Sequence, residues 1–217
     1  LSAAVLAGTL DASEFPVRFS RVVDEWLREL FALATGENPK GYALVGVGGY
    51  GRGELAPGSD LDLVLVHKRR RHVKAVAEKI WYAVWDSGIH LDHSVRTPGE
   101  MLSVAREDLK VVLGLLDARF IAGDETLLPP IRDGAREIWR KDAARFLKEL
   151  HAQVVERHRN AGELAFLLEP DLKQSGGGLR DLAAVAALAV ALPSVAPLAN
   201  AEAIERARRI IGSARVV

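Results

Sequence analysis

The chain has 217 residues, about half of them hydrophobic, and its 29 acidic and 29 basic side chains cancel to zero formal charge. That length suits one large domain or two small ones with a substantial core, and the even charge gives no electrostatic case for nucleic acid as the main partner. Cysteine is absent, which excludes disulfides and thiolate metal sites and fits a reducing, cytoplasmic setting; the longest apolar run, Leu182 to Leu192, is too short to span a bilayer, so no membrane partner is expected.

Taken in chain order, residues 13–35 carry a helical rhythm through Phe19, Val22, Val23, Trp26, Leu27, Leu30 and Leu33. A loop, GENPKG, leads to a predicted strand over 42–47, a glycine-rich bend, and a second strand over 60–67. The basic turn Lys68 to His72 reads as a solvated loop, with contact to phosphate or a partner protein as the alternative. Helical spacing resumes over 73–87 with Gly88 as its stop, and a third strand over 89–96 ends at Thr97-Pro98-Gly99. Residues 100–121 read as one or two helices, and Asp124 as the N-cap of the next turn. Pro129-Pro130 opens a long helical region to about His158, broken near Asp142. A loop over 169–178 enters an Ala-rich helix, and Asn200 caps a last one through Ile211. The expected fold is α+β: an N-terminal helical segment (1–40), a small mixed-sheet head (41–98) and a helical body (99–217). The chain opens without methionine and stops at Val217 straight after a helical pattern, which reads as a fragment.

The stretch that organises the rest is YALVGVGGYGRGELAPGSDLDLVLVH, from Tyr42 to His67. Alternation along a strand puts Asp60 and Asp62 on one face. Two like charges about 4 Å apart repel by roughly 4 kcal/mol at an effective dielectric near 20. A strand otherwise built of Leu61, Leu63, Val64, Leu65 and Val66 keeps such a pair for a reason, and a divalent cation supplies one: Mg²⁺ is typically held by one or two carboxylates plus substrate phosphates. The bland alternative is a tight hairpin whose aspartates face solvent.

Gly46 to Gly51 also satisfies G-x-G-x-x-G after a strand, which invites a dinucleotide-binding reading. The context rejects it. Gly53, Pro57 and Gly58 interrupt the place of the crossover helix, and a basic run stands where a ribose-binding carboxylate should be.

Gly48-Gly49, ten residues, then Asp60-Leu61-Asp62 resembles the signature of the nucleotidyltransferase superfamily with a DNA polymerase β-like head. That resemblance implies a glycine turn that meets a triphosphate and an Asp-x-Asp strand that holds metals. Glycine lets backbone N–H groups approach phosphate closely, and Arg52 or Ser59 can add donors. Two-metal phosphoryl transfer usually needs another carboxylate near the acceptor. Asp92, in Leu91-Asp92-His93-Ser94-Val95-Arg96, is the candidate, with Asp86 and Asp108 poorer ones. His93 falls on the opposite strand face and reads as packed or hydrogen-bonded rather than as a ligand.

The resemblance narrows. GGYGRGELAPGSDLDLVLVH, WDSGIHLDHSVRTPGE and AREDLKVVLGLLDARFIAGD are similar to successive segments of the PII-protein uridylyltransferase family. Leu168 to Asp181 (LEPDLKQSGGGLRD) resembles that family's E-P-x-x-K-x-x-x-G-G-L-R-D element, a form of which occurs in glutamine synthetase adenylyltransferases. The resemblance implies transfer of UMP from UTP to a tyrosine of a PII signalling protein, with Mg²⁺ or Mn²⁺ on Asp60, Asp62 and Asp92. ATP as donor, with PII or glutamine synthetase as acceptor, is the alternative, because the place of Asp92 is often glycine in the uridylyltransferases and aspartate in those adenylyltransferases. A non-catalytic nucleotide-sensing module is a further one. In the last motif a glycine run enters a helix, so free backbone donors together with Lys173 and Arg180 are expected to reach nucleotide or pyrophosphate; the alternative is a structural lock of Glu169, Arg180 and Asp181. The family's HD hydrolase signature is absent, since no His-Asp dipeptide occurs in the chain.

Overall fold

In the computed structural model, residues 7, 10–36, 39–68, 72–194, 197 and 200–215 are described. The first helix, α1 (Phe15–Thr35), owes its place to a stripe at four-residue spacing: Val23, Leu27 and Phe31 are buried in the core, with Phe19, Trp26 and Leu30 packed beside them. Val22 and Leu33, which the spacing also placed inward, fall outside that arc and are exposed.

Four strands form one sheet: β1 (Tyr42–Gly46), β2 (Leu61–His67), β3 (Leu91–Arg96) and β4 (Arg119–Gly123). Their order is β3-β2-β1-β4. β1 runs antiparallel to β2 and β4, whereas β2 and β3 are parallel. A parallel pair requires a crossover, which α3 (Val73–Asp86) provides, ending at Ser87 and the left-handed Gly88. Between β1 and β2 lies one turn of helix, α2 (Gly48–Gly51). Leu61, Leu63 and Leu65 share a cluster with α1 and with Val76, Ile80, Trp81 and Val84 of α3. Alternation therefore turns Asp62, Val64 and Val66 to the other face.

After β3, Thr97 and Glu100 form a capping box for α4 (Pro98–Ala105), and Asp108 caps α5 (Leu109–Leu116). Helix was expected to continue to residue 121. Instead α5 ends at Asp117 and β4 pairs with β1, bringing Arg119 opposite Gly46. Arg-Phe-Ile-Ala-Gly follows an apolar helical run without a Gly or Pro break, so its pairing is set by the open edge of β1 rather than by a local signal.

The chain divides into two units, Pro16–Ala135 and Leu1–Phe15 with Arg136–Val217. These differ from the three expected segments: α1 belongs with the sheet, and β4 lies beyond residue 98. The long helical region is two helices, α6 (Leu128–Lys141) and α7 (Ala143–Ala161), broken at Asp142. In the second unit Trp139 stacks on Phe146 and donates its indole N–H to the Ala187 carbonyl at 2.7 Å, tying in α8 (Leu179–Ala191). The last helix, α9 (Ala201–Ala214), begins where the Asn200 side chain accepts from the Ala203 N–H. No helix among the described residues is long and apolar enough to cross a membrane.

Candidate active site

The site grows from the first turn after β1. Gly48 takes φ +57°, a left-handed conformation, and a Cβ there would lie 3.1 Å from the Asp62 Oδ2. Glycine is thus required twice, for its dihedral and for the close approach to a carboxylate. Gly48 and Gly49 accept from the N–H groups of Arg52 and Glu54, and among the described residues their own N–H groups donate to nothing. Gly51 is tighter still, since a Cβ would come within 2.3 Å of the Asp117 carbonyl.

Asp62 lies inside β2, half-buried, with Asp92 as its register partner on β3. Two register neighbours on parallel strands point to the same face, so these carboxylates stand side by side. Asp60 is exposed and sits one residue before the strand begins. A nearby residue that sequence reasoning missed is Lys110 on α5. Its Nζ lies 3.1 Å from Asp92 Oδ2, and this hydrogen bond, then the charges of Asp92 and Asp62, holds its pKa above the ordinary lysine value against a smaller effect of burial. Among the described residues no three His, Asp or Glu side chains gather closely enough to hold a metal ion. Carboxylate oxygens such as those of Asp60 and Asp62 are the donor type a hard cation takes, with its remaining positions filled by water or substrate oxygens.

Of the expected phosphate donors, Arg52 is engaged. Its guanidinium donates to Glu54 at 2.8 Å and to Asp117 at 2.5 Å. Burial works against its charge, but these two carboxylates outweigh that and raise its pKa. The Ser59 hydroxyl accepts from the Ala56 N–H at 3.0 Å and closes the Pro-Gly turn. His93 is exposed yet packed by its ring against two indoles, tilted to Trp81 with centroids 5.1 Å apart and edge-on to Trp85 at 5.3 Å, on the face away from Asp92. Residues 69–71 of the basic turn lie outside the described residues.

A second group of residues missed from sequence surrounds the glycine turn. Asp24 of α1 is buried and accepts from the Tyr50 hydroxyl at 2.5 Å and from Arg119 Nη1 and Nη2 at 2.5 and 3.0 Å. Arg119 also donates to the carbonyls of Gly51 and Tyr50, at 3.1 and 3.2 Å. Burial, then the hydrogen bond to Asp24, raises the Tyr50 pKa far above its usual value. No local sequence signal exists for this cluster, because its members are 26 and 95 residues apart.

The Leu168–Asp181 motif, in the helical unit, departs from expectation. Its backbone donors are not free: every N–H from Gly176 to Leu182 has an acceptor within the chain. Its glycines serve the turn itself, as a Cβ on Gly176 would lie 2.8 Å from Glu163 Oε2 and one on Gly178 2.8 Å from the Leu172 carbonyl. A lock is present, but with other partners than expected. Asp181 accepts from Arg157 at 2.5 Å, from His158 Nε2 at 2.8 Å and from the Gly177 N–H at 2.6 Å. Burial pushes the Asp181 pKa up, and these three donors more than reverse it, leaving it below the ordinary carboxylate value. Glu169, Lys173 and Arg180 are exposed.

A family model described as a nucleotidyltransferase domain matches residues 29–112, the stretch that holds the glycine turn and Asp60-Leu61-Asp62. A second, described as GlnD PII-uridylyltransferase, matches residues 145–210. It is 50% identical over 192 residues to the bifunctional uridylyltransferase/uridylyl-removing enzyme of Streptomyces coelicolor, covering 88% of this chain and 22% of that protein. It is 48% identical over 153 residues to the protein of the same name from Mycobacterium tuberculosis H37Rv (70% and 19%), and 40% identical over 152 residues to that of Corynebacterium glutamicum (70% and 22%). The chain spans about a fifth of the length of these relatives.

Proposed function

We propose that the chain is the transferase portion of a PII-modifying enzyme, moving UMP from UTP to a tyrosine hydroxyl of a PII signalling protein with release of pyrophosphate. The observation that carries this is the Asp62 carboxylate set against a glycine turn whose two N–H donors have no acceptor among the described residues, with Asp92 beside it on the next strand. The triphosphate lies along the Gly48-Gly49 turn, where backbone donors reach phosphate oxygens without a side chain in the way. Asp60 and Asp62 would hold Mg²⁺ or Mn²⁺, and Asp92 would complete the set beside the acceptor. The bound ion supplies charge neutralisation at the phosphate oxygens.

Within this reading, Asp92 orients the tyrosine phenol and accepts its hydrogen bond, since a group of pKa near 10 is a poor nucleophile at neutral pH unaided. Lys110, now paired with Asp92, brings a positive charge to the same edge of the site. Arg52 acts through the turn it braces, while Ser59 fixes the bend that delivers Asp60. The exposed side chains of Lys173 and Arg180, rather than backbone donors of their motif, carry the charge that this reading assigns to phosphate. Setting is cytoplasmic in this reading. The aspartate at position 92 favours one second reading, adenylyl transfer from ATP to the same acceptor or to glutamine synthetase. Incubation with PII and equimolar labelled UTP and ATP decides between them: label from UTP is expected, label from ATP selects the second reading, and label from neither overturns both.

A further inference from the structure

Among the described residues Asp24 is the only charged residue buried from solvent, and it lies outside the Asp60/Asp62/Asp92 site. A buried carboxylate is costly unless hydrogen-bonded, and every strong partner it has belongs to, or grips, the glycine turn. Tyr50 is the third residue of that turn. Arg119 reaches past Asp24 to bind the carbonyls of Tyr50 and Gly51 at the end of α2, where the Tyr50 carbonyl also accepts from the Gly53 N–H at 3.0 Å. The guanidinium also lies 5.1 Å from the centre of the Tyr50 ring. One planar fork thus joins α1, β4 and the turn, an arrangement that lysine's single ammonium cannot reproduce. The other end of the same four-residue turn is Gly48, 3.1 Å by its absent Cβ from the Asp62 carboxylate. Gly51, seated against the Asp117 carbonyl, leaves the turn no slack on its far side.

We infer that Asp24 and Arg119 are positioning residues that set the distance between the glycine turn and Asp62, and so control nucleotide transfer without touching nucleotide. The inference rests on the proposed function for its effect on turnover, and on the geometry alone for its effect on the turn. The Asp117-Ala118-Arg119 segment then serves the site from the rear, Asp117 through Arg52 and Arg119 through Tyr50 and Gly51.

The test compares Arg119→Lys with Leu27→Ala, a core substitution in α1 that lowers the melting temperature by a general loss of packing. Two quantities are read on the full chain: amide exchange of residues 47–53 without nucleotide, and UMP transfer with UTP and Mg²⁺. Arg119→Lys is expected to speed exchange in the turn about tenfold or more while the β2 amides stay protected. It should lower turnover roughly a hundredfold, the scale of a misplacement of about 1 Å. Leu27→Ala should leave turn exchange and turnover within about threefold of the unmodified chain. Equal losses in the two variants, or unchanged turn exchange in Arg119→Lys, overturn the inference. Should Arg119→Lys fail to fold, Tyr50→Phe removes only the hydroxyl held by Asp24, and unchanged turn exchange there overturns it equally. If the unmodified chain transfers nothing, the functional reading falls, and turn exchange still decides whether the lock holds the turn.

Discussion

In the proposed site Asp62 is the residue with the most depending on it. It is half-buried, faces the Gly48 backbone and neighbours Asp92 in register. Asp62→Asn keeps the shape and removes the charge. Losing several kcal/mol of charge stabilisation corresponds to roughly a thousandfold or more in transfer rate, with the circular dichroism spectrum unchanged. Gly48→Ala tests the other side of the same contact. A Cβ at φ +57° and 3.1 Å from Oδ2 adds strain of about 1–2 kcal/mol and pushes on the carboxylate. Its melting temperature should fall modestly while triphosphate binding, followed by calorimetry, falls at least about tenfold; a variant that binds normally removes the turn from the phosphate site. At this scale Gly48, Gly49, Asp60, Asp62 and Asp92 stand in short local patterns, which is why the sequence alone proposes them as site residues. Asp24, Lys110 and Arg119 were not legible, because their partners lie on other elements and a lone charge in a helical pattern looks the same whether it faces water or a buried tyrosine.

At the scale of elements, three strands and most helices follow from periodicity and caps, including the break at Asp142 and the Asn200 cap. β4 did not, since five residues after an apolar helix carry no period of their own. Its far end is held by Gly123, at φ +100°, where a Cβ would meet the Tyr42 carbonyl at 2.3 Å and Phe31 at 2.7 Å. Gly123→Ala is therefore expected to cost about 3 kcal/mol and several degrees of melting temperature. A melting curve unchanged by that substitution would show that β4 is not anchored there. The Leu168–Asp181 element makes a contrasting prediction. Arg180→Ala should leave the melting temperature alone, because Arg180 is exposed, whereas Arg157→Ala strands a partly buried carboxylate and should lower it. If Arg180→Ala also weakens triphosphate binding in a salt-sensitive manner, its side chain reaches phosphate; if it does not, the motif is structural.

For the whole molecule, acid stability follows from Asp181. Its folded pKa lies below the unfolded carboxylate value, so its stabilising contribution is complete above the unfolded value, about 3.9, and is lost as pH falls through the folded one. Helical signal followed from pH 6 to pH 2 should decline at the acid end, and Asp181→Asn should show a lower plateau with a flatter acid limb. An acid limb unaltered by that substitution assigns the loss to other carboxylates. The larger architecture was legible as α+β because glycine, proline and period shifts punctuate the chain. Where one unit ends and the next begins was not, because α1 and β4 join the sheet through packing and edge pairing, which leave no mark in local composition. The claim of metal-dependent nucleotidyl transfer by the Asp-x-Asp strand is tested most directly by mass spectrometry of PII after incubation with UTP and Mg²⁺. The unmodified chain is expected to add one UMP to a PII tyrosine, and folded Asp62→Asn none in the same time; PII modified at a comparable rate by folded Asp62→Asn would contradict it.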